Sequence, residues 1–198
     1  QYPGASGTGT DIAGVGKYSR PRTAVYLDRS GVNFLLTYSE VELYLAEAKV
    51  RGWNVGAVTA AQHYANGVAA SVASLAAFNT ATASDAAIRT AVAAMPAYLT
   101  ANALNTSSTT ASLKQINEQI WVTTSITFNF IETWINWKRS GYPVLTPVNF
   151  ANNFTGGVIP RRIPYKASES STNPVNLNAA VGLLSGGNTF TARTWWDK

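Results

Sequence analysis

Residues 34–52 read FLLTYSEVELYLAEAKVRG, and this stretch decides the fold. Thr37 and Glu40 have the spacing of a capping box, in which each side chain bonds the backbone of the other residue where an α-helix begins. Gly52 suits the left-handed position just past a helix end, because glycine adopts positive φ at little cost. The spacing therefore predicts a helix over residues 39–51.

A second helix is predicted over residues 60–78, because Thr59 and Gln62 repeat the capping-box spacing. Both helices carry apolar residues at the spacing of one helix face. These are Val41, Tyr44, Leu45 and Ala48 in the first helix, and Ala61, Tyr64, Ala65, Val68, Val72 and Leu75 in the second. Gly67 costs about 1 kcal/mol relative to alanine in a helix interior, so we interpret it as a point of close packing on the alanine face of the first helix. The two helices are predicted to form an αα-hairpin of the tetratricopeptide kind.

The segment over residues 79–110 is predicted to hold one short helix. Ser84 caps this helix and Pro96 ends it, because proline lacks the N–H that a helix interior needs. Residues 98–110 then form a loop. The segment is either a lid or ligand rim, or a packing insert, and the sequence leaves both interpretations open.

A long helix is predicted from Ser112, which forms a third capping box with Gln115, up to Lys138. Its apolar stripe consists of Leu113, Ile116, Ile120, Phe128, Ile131, Trp134 and Ile135. Residues 122–127 are rich in β-branched side chains, which are mediocre helix formers, so a kink or break is expected there. A short strand over 24–27 and a short helix over 179–184, capped by Asn178, complete the prediction.

The composition excludes several classes of protein. The chain of 198 residues contains no cysteine, so these residues form no disulfide, zinc–thiolate cluster or thiol nucleophile. The net charge is +5, but the basic residues are dispersed, so we expect no nucleic-acid partner. Charged residues make up 13% of the chain, against roughly 25% in ordinary globular domains, and this balance is common in exported proteins. No apolar run reaches the roughly 18 residues of a membrane span, and no signal peptide stands at Gln1.

Five residues are candidates for catalytic, metal-binding or ligand-binding roles. Glu40 and Glu47 are seven residues apart on one helix, about 10.5 Å along its axis, beyond the roughly 5–9.5 Å between the carboxylates of glycosidases. His63 is the only histidine, too few for a metal site, and we expect an ordinary surface or hydrogen-bonded residue. Trp134 lies on the apolar stripe and is predicted to be core, whereas Trp137 lies off it and is open to a sugar-stacking role. We predict no catalytic residue, no metal site and no cofactor.

Four motifs in order resemble the SusD/RagB family. The Tyr-x-Glu start and Leu-Ala-Glu-Ala exit of residues 38–48 are similar to its signature helix. Residues 132–145 read ETWINWKRSGYPVL, similar to the family helix that bears Glu-x-Trp and ends in basic residues and Gly-Tyr-Pro. Residues 160–165 read PRRIPY, which is similar to a third family segment. Lys166 follows it, at a position where the family usually has a second proline. The end, RTWWDK over residues 193–198, resembles the Trp-Trp-Asp close of the family.

The resemblance implies a mostly α-helical SusD-like fold with a tetratricopeptide-like αα-hairpin and long irregular loops. Residues 34–198 would carry the family motifs, residues 1–33 would be a loop-rich lead-in or a disordered tail, and the N-terminal half would be absent. The implied function is non-catalytic binding of glycans or peptides at the cell surface for uptake through a SusC-like TonB-dependent transporter. The implied location is the outer membrane, with a lipid anchor in the absent N-terminal half. The resemblance transfers no ligand-binding residue to a numbered position.

Two other functions remain open on the sequence alone. One is a helical-repeat scaffold that binds proteins, in which the aromatic residues would be core. The other is a glycoside hydrolase that uses paired carboxylates, although neither a phosphate-cradling glycine loop nor a nucleophile elbow occurs. Release of reducing ends from a polysaccharide would distinguish the hydrolase from both other functions.

Overall fold

The computed structural model describes residues 26, 29, 31–78, 83–147, 149 and 151–198. The chain divides into two compact units, one ending at Trp137 and the other holding the described residues from Lys138 onward. The first unit contains helices α1 (Tyr38–Val50), α2 (Ala60–Ser74), α3 (Ala83–Ala101) and α4 (Thr109–Ile126), and α5 (Phe130–Ser140) begins in it. A 3-10 turn, Leu75–Ala77, follows α2.

The second unit contains the short helices α6 (Glu169–Thr172) and α7 (Pro174–Gly182) among long irregular segments. Across the described ranges the β-structure is a single antiparallel bridge between Ser185 and Arg193. The predicted mostly α-helical class with an αα-hairpin is therefore confirmed. Of the strand predicted over 24–27, only Tyr26 lies among the described residues. No helix that the structure describes combines the length and apolarity needed to cross a membrane.

The first two predicted helix starts are confirmed by their hydrogen bonds. The Thr37 hydroxyl accepts from the Glu40 amide at 3.2 Å, and the Thr37 amide donates to Glu40 Oε2 at 2.9 Å, which completes the capping box of α1. The Thr59 hydroxyl accepts from the Gln62 amide at 3.2 Å at the start of α2. Local side-chain chemistry alone determines where these helices begin.

The third predicted capping box is wrong. The cap of α4 is Ser108, whose hydroxyl accepts from the Ala111 amide at 3.1 Å, four residues before the predicted start. Ser112 lies inside the helix and donates to the Asn105 carbonyl at 2.7 Å, while Gln115 Oε1 accepts from the Asn105 amide at 2.6 Å. Both side chains therefore hold the preceding loop against α4 instead of capping the helix.

The prediction that Pro96 ends a helix is also wrong. Helix α3 runs through Pro96 to Ala101, which shortens the predicted loop over 98–110. A proline removes one backbone hydrogen bond, but Met95 and Leu99 on either side of it pack against the core cluster. Tertiary packing thus holds the helix together across the missing bond.

A break that divides the long helix in two is confirmed, but α4 stays helical to Ile126 and α5 begins at Phe130, so it lies at the end of the run 122–127 and just beyond it. Threonine hydroxyls here bond back to carbonyls one turn earlier, with Thr124 donating to Ile120 at 2.9 Å and Thr127 to Thr123 at 3.0 Å. Such back-bonding competes with the helix ladder and bends helices.

In the second unit α7 begins at Pro174, so the helix predicted over 179–184 starts and ends earlier.

The core of the first unit lies where α1 packs against α2 and α4. It consists of Leu43, Ala46, Tyr64, Val68, Leu104, Ile116 and Ile120. The stripe predicted for α1 is wrong at Val41, which is exposed, whereas Leu43 and the neighbouring Glu42 are buried. The reason is that α1 is covered by two helices at once, so its buried face is wider than one apolar stripe and includes carboxylates.

Gly67 is the point of closest approach between α1 and α2. A Cβ at this position would lie 2.7 Å from Leu43 Cγ and 3.2 Å from the Ser39 carbonyl oxygen. The Ser39 hydroxyl in turn donates to the Gly67 carbonyl at 2.6 Å. The predicted close packing is confirmed, with Ser39 and Leu43 as the residues in contact.

We expect Gly67→Ala to destabilise the protein. Overpacking costs about 1–3 kcal/mol, which exceeds the roughly 1 kcal/mol that alanine gains over glycine in helix propensity. Gly182→Ala is the matched control, because nothing lies within 4 Å of a Cβ built at that helical glycine. Chemical denaturation measures both free energies of unfolding, and equal stability of the two variants would contradict the close approach.

Candidate ligand-binding site

The two carboxylates weighed as a catalytic pair are engaged in structural contacts. Glu40 Oε2 accepts from both the amide and the hydroxyl of Thr37, the latter at 2.7 Å. Glu47 Oε1 accepts from Arg51 at 2.8 Å through Nε and forms an ion pair with Nη2 at 2.7 Å. Both glutamates are buried, and a buried carboxylate is costly unless it is bonded in this way.

His63 is a buried, hydrogen-bonded residue, as expected from the sequence. Its Nδ1 lies 2.8 Å from Glu42 Oε2, which also accepts from Asn66 Nδ2 at 3.2 Å. Burial alone would raise the pKa of Glu42, but hydrogen bonds from His63, Tyr38 and Asn66 outweigh it and lower that pKa. His63 Nε2 has no partner among the described atoms, so no hydroxyl is bonded to it as the nucleophile of a triad would be. The cluster joins α1 to α2.

Metal-binding chemistry finds no support in the described part of the chain. No group of three or more His, Cys, Asp or Glu side chains there could hold an ion. The sequence itself offers one histidine and no cysteine as ligands.

The exposure of Trp134 and Trp137 is the reverse of what the sequence indicates. Trp134, predicted to be core, is 39% exposed, and Trp137 is buried at 6%. The cause is the break before α5, which resets the helical phase so that the stripe counted along α4 does not continue. The face of α5 turned to α4 is polar, with Thr133 donating to the Thr124 hydroxyl at 2.7 Å.

The break between α4 and α5 holds a phenylalanine in a left-handed conformation. Phe128 has φ of 61°, which is a genuine outlier for a bulky residue. Its amide donates to the Ser125 carbonyl at 3.2 Å, and the Asn129 amide donates to the Thr124 carbonyl at 2.9 Å. This is a Schellman-type helix end, in which glycine normally fills the position of Phe128. Holding another residue there costs on the order of 1–3 kcal/mol.

Phe128 belongs to a row of five rings, which we call the aromatic cluster. The members are Tyr26, Phe34, Phe78, Phe128 and Phe130. Tyr26 stacks on Phe128 with ring centroids 4.2 Å apart, and Phe128 is tilted against Phe130 at 4.9 Å. Phe128 and Phe130 are 42% and 56% exposed. Beside them lies a cavity of about 230 Å³, whose wall includes Asn33 and Thr127.

A second cavity of about 620 Å³ lies between α2 and α3. Its floor is made by small residues of α2 and its wall by apolar residues of α3, namely Ala69, Ala70, Ala73, Val92, Met95, Pro96 and Leu99. Tyr38 and Asn66 supply its polar groups. Such a surface, apolar and without converging charges, suits helix packing as well as a ligand.

Three of the motifs that resemble the SusD/RagB family meet inside the second unit. Arg161 Nη1 lies 2.7 Å from Asp197 Oδ1. Lys138 Nζ donates to the Arg161 carbonyl at 3.2 Å and lies 4.4 Å from the centre of the Trp196 ring. Burial lowers the pKa of Lys138, and the charge of Asp197 opposes that effect. These motif residues bond to one another and so fasten the unit together.

We expect Glu40→Gln and Glu47→Gln to lower the melting temperature and leave ligand affinity unchanged among folded molecules. Glutamine at position 40 keeps the acceptor of the capping box but loses the charge, which costs about 1 kcal/mol, and the weakened pair at Glu47 costs about 1–3 kcal/mol. The control is Glu118→Gln, because Glu118 lies at 3.9 Å from Lys114 on an exposed face and such pairs contribute little. Lost affinity at unchanged stability would refute the structural role.

Glu42→Gln should also destabilise the protein, by about 1–3 kcal/mol at neutral pH. Because the pKa of Glu42 is lowered from its ordinary value of 4.5, the carboxylate stabilises the fold above that value. This stabilisation is lost as the pH falls through the folded-state pKa. Thermal unfolding from pH 7 to pH 3 should therefore show the gap between wild type and variant closing below about pH 4.5. A gap that stays constant would argue against an ionised Glu42.

Comparison with known proteins adds the family relationship. The family model described as "Susd and RagB outer membrane lipoprotein" matches residues 13–197. A solved chitin-binding protein is 39% identical at a TM-score of 0.64, covering 81% of this chain and 32% of that one. A SusD-like protein, AC2a from Bacteroidetes, is 28% identical at a TM-score of 0.62, covering 84% and 30%. A SusD homologue from Bacteroides vulgatus ATCC 8482 is 26% identical at a TM-score of 0.59, covering 83% and 35%. No curated protein matches the chain.

The chain thus spans about a third of the length of these solved relatives. The structural similarity covers most of this chain, and a family match over residues 13–197 includes nearly all of it.

Proposed function

The chain belongs to the SusD/RagB family of outer membrane lipoproteins, and from this premise we propose that it binds glycans at the cell surface without cleaving them. The bound glycan would pass to a SusC-like TonB-dependent transporter in the same membrane. Its location would be the outer membrane, with the lipid anchor in a part of the protein outside these 198 residues.

One observation carries this proposal, namely the 39% identity to a protein named as chitin-binding. It favours a glycan over a peptide as the ligand. Two features of the chain agree with it. Charged residues are few, at 13%, and rings such as Phe128 and Phe130 are exposed, as stacking on sugars requires.

Non-catalytic binding is proposed because the candidate carboxylates already have structural partners. Glu40 caps α1, Glu47 pairs with Arg51, and Glu42 bonds His63. A hydrolase needs one carboxyl group to donate a proton and another to act on the anomeric carbon or a water. Side chains committed to buried helix contacts serve neither purpose well.

We further propose that these residues form the C-terminal part of a longer protein and that its N-terminal half covers apolar surface left open here. Leu35 and Leu36 are 82% and 65% exposed directly before α1. Contiguous exposed apolar patches mark interaction surfaces, and we propose that these two side chains belong to one.

Electrophoresis of the complete protein through gels containing glycol chitin tests the proposed function. We expect retarded migration relative to a gel without polysaccharide, and no increase in reducing ends after prolonged incubation with the same glycan. Accumulating reducing ends would indicate a hydrolase. Unretarded migration in chitin, starch, xylan and mannan gels would favour a protein-binding scaffold.

A further inference from the structure

We propose that the aromatic cluster at the break between α4 and α5 is a sugar-binding subsite, in which Phe128 and Phe130 stack on one N-acetylhexosamine residue of the glycan. This inference rests on the proposed function and assigns it a location. The exposed rings and the strained backbone of Phe128 carry it.

The backbone at Phe128 argues against a purely structural role for its side chain. The helix end there is closed by backbone bonds from the Phe128 and Asn129 amides, and glycine would form the same bonds without strain. What phenylalanine adds over glycine at this φ of 61° is therefore its ring, not a backbone bond. Residues held in such conformations concentrate at ligand-binding sites.

The ring of Phe128 is supported from one side and open on another. Tyr26 stacks against it at an interplanar angle of 27°, and the Tyr26 hydroxyl is fixed by its bond to the Ile126 carbonyl at 3.1 Å. Phe78 packs edge-on against Tyr26 with centroids 5.2 Å apart. In this part of the protein Phe128 remains 42% exposed, which leaves a ring face open for a ligand.

The two exposed rings form an angled surface. Phe128 and Phe130 meet at an interplanar angle of 51° with centroids 4.9 Å apart. Apolar ring faces of this kind suit the C–H face of a pyranose, which offers no hydrogen-bonding group. Because neighbouring rings already fix Phe128, little conformational entropy is lost when a ligand stacks on it.

The adjoining cavity indicates the size and polarity of the ligand. Its volume of about 230 Å³ lies below the roughly 300–1,000 Å³ of pockets for drug-sized molecules, so it suits a single sugar residue. Asn33 lines it and is exposed. A side-chain amide both donates and accepts, which matches the acetamido group of an N-acetylhexosamine.

Isothermal titration of the complete protein with chitopentaose tests the subsite. Phe128→Gly removes the ring and relaxes the backbone, so we expect an affinity loss of about two- to tenfold with no fall in melting temperature. Phe128→Tyr keeps a ring and should keep the affinity. The matched control is Phe154→Ala, an exposed phenylalanine of the second unit that pairs edge-on with Phe190 at 4.9 Å, and its affinity should equal that of wild type.

The outcomes separate this inference from the proposed function. Wild-type binding that Phe128→Gly leaves unchanged would overturn the subsite and leave glycan binding standing. A lower melting temperature at unchanged affinity would also overturn it and assign the rings to packing against protein. Equal losses for Phe128→Gly and Phe154→Ala would remove the specificity on which the subsite depends. Wild type that binds neither chitopentaose nor other glycans would overturn the proposed function together with the subsite.

Discussion

The close approach of α1 and α2 at Gly67 is the constraint on which the first unit depends. Since no side chain stands at Gly67, Leu43 fills that space and Ser39 bonds the carbonyl across the interface. Helix α4 then covers another side of α1. On the faces of α1 that the two neighbours cover, no water solvates polar groups, so the buried Glu42 must find its partners within the fold. The contact between Glu42 and His63 is therefore a consequence of tight packing.

Small polar side chains also join the helices of the first unit to one another. Hydroxyl and amide side chains add hydrogen bonds to the apolar packing of Ile116 and Ile120 along α4. Thr123 donates to the Ser71 hydroxyl at 3.0 Å and joins α4 to α2. Asn136 donates to Asn117 at 3.3 Å and joins α5 to α4. Buried groups of this kind are worth retaining only when bonded, and each bond here also fixes the relative position of two helices.

The sequence predicted the features that depend on local chemistry. The starts of α1 and α2 follow from side chains that bond backbone amides three residues away, so Thr37 and Thr59 could be identified without tertiary information. Ser112 shows the same spacing but is used by a loop, and Pro96 stays helical because of packing by its neighbours. The spacing of residues alone does not distinguish Ser112 from a residue that caps a helix, or Pro96 from a proline that ends one.

The candidate site was missed for a related reason. The sequence assigns Phe128 to the apolar stripe of one long helix, because no sequence pattern indicates that a phenylalanine adopts positive φ. The available signal was indirect, namely the β-branched run over 122–127 followed by Phe128, Asn129 and Phe130. The predicted break should have ended the stripe there, which would have freed these rings from the core and placed Trp137 on a new face.

Hydrogen bonds on both sides of the break between α4 and α5 restrain its backbone. Thr127 donates to the Thr123 carbonyl at 3.0 Å before it, and Thr133 donates to the Asn129 carbonyl at 3.0 Å after it. Thr133 also reaches back to Thr124 at 2.7 Å, which ties the two helices together across the break. Backbone strain persists only where the surroundings over-determine a conformation, and these threonines provide that restraint at Phe128. The polar network beside the apolar core of α4 thus also restrains the backbone at Phe128.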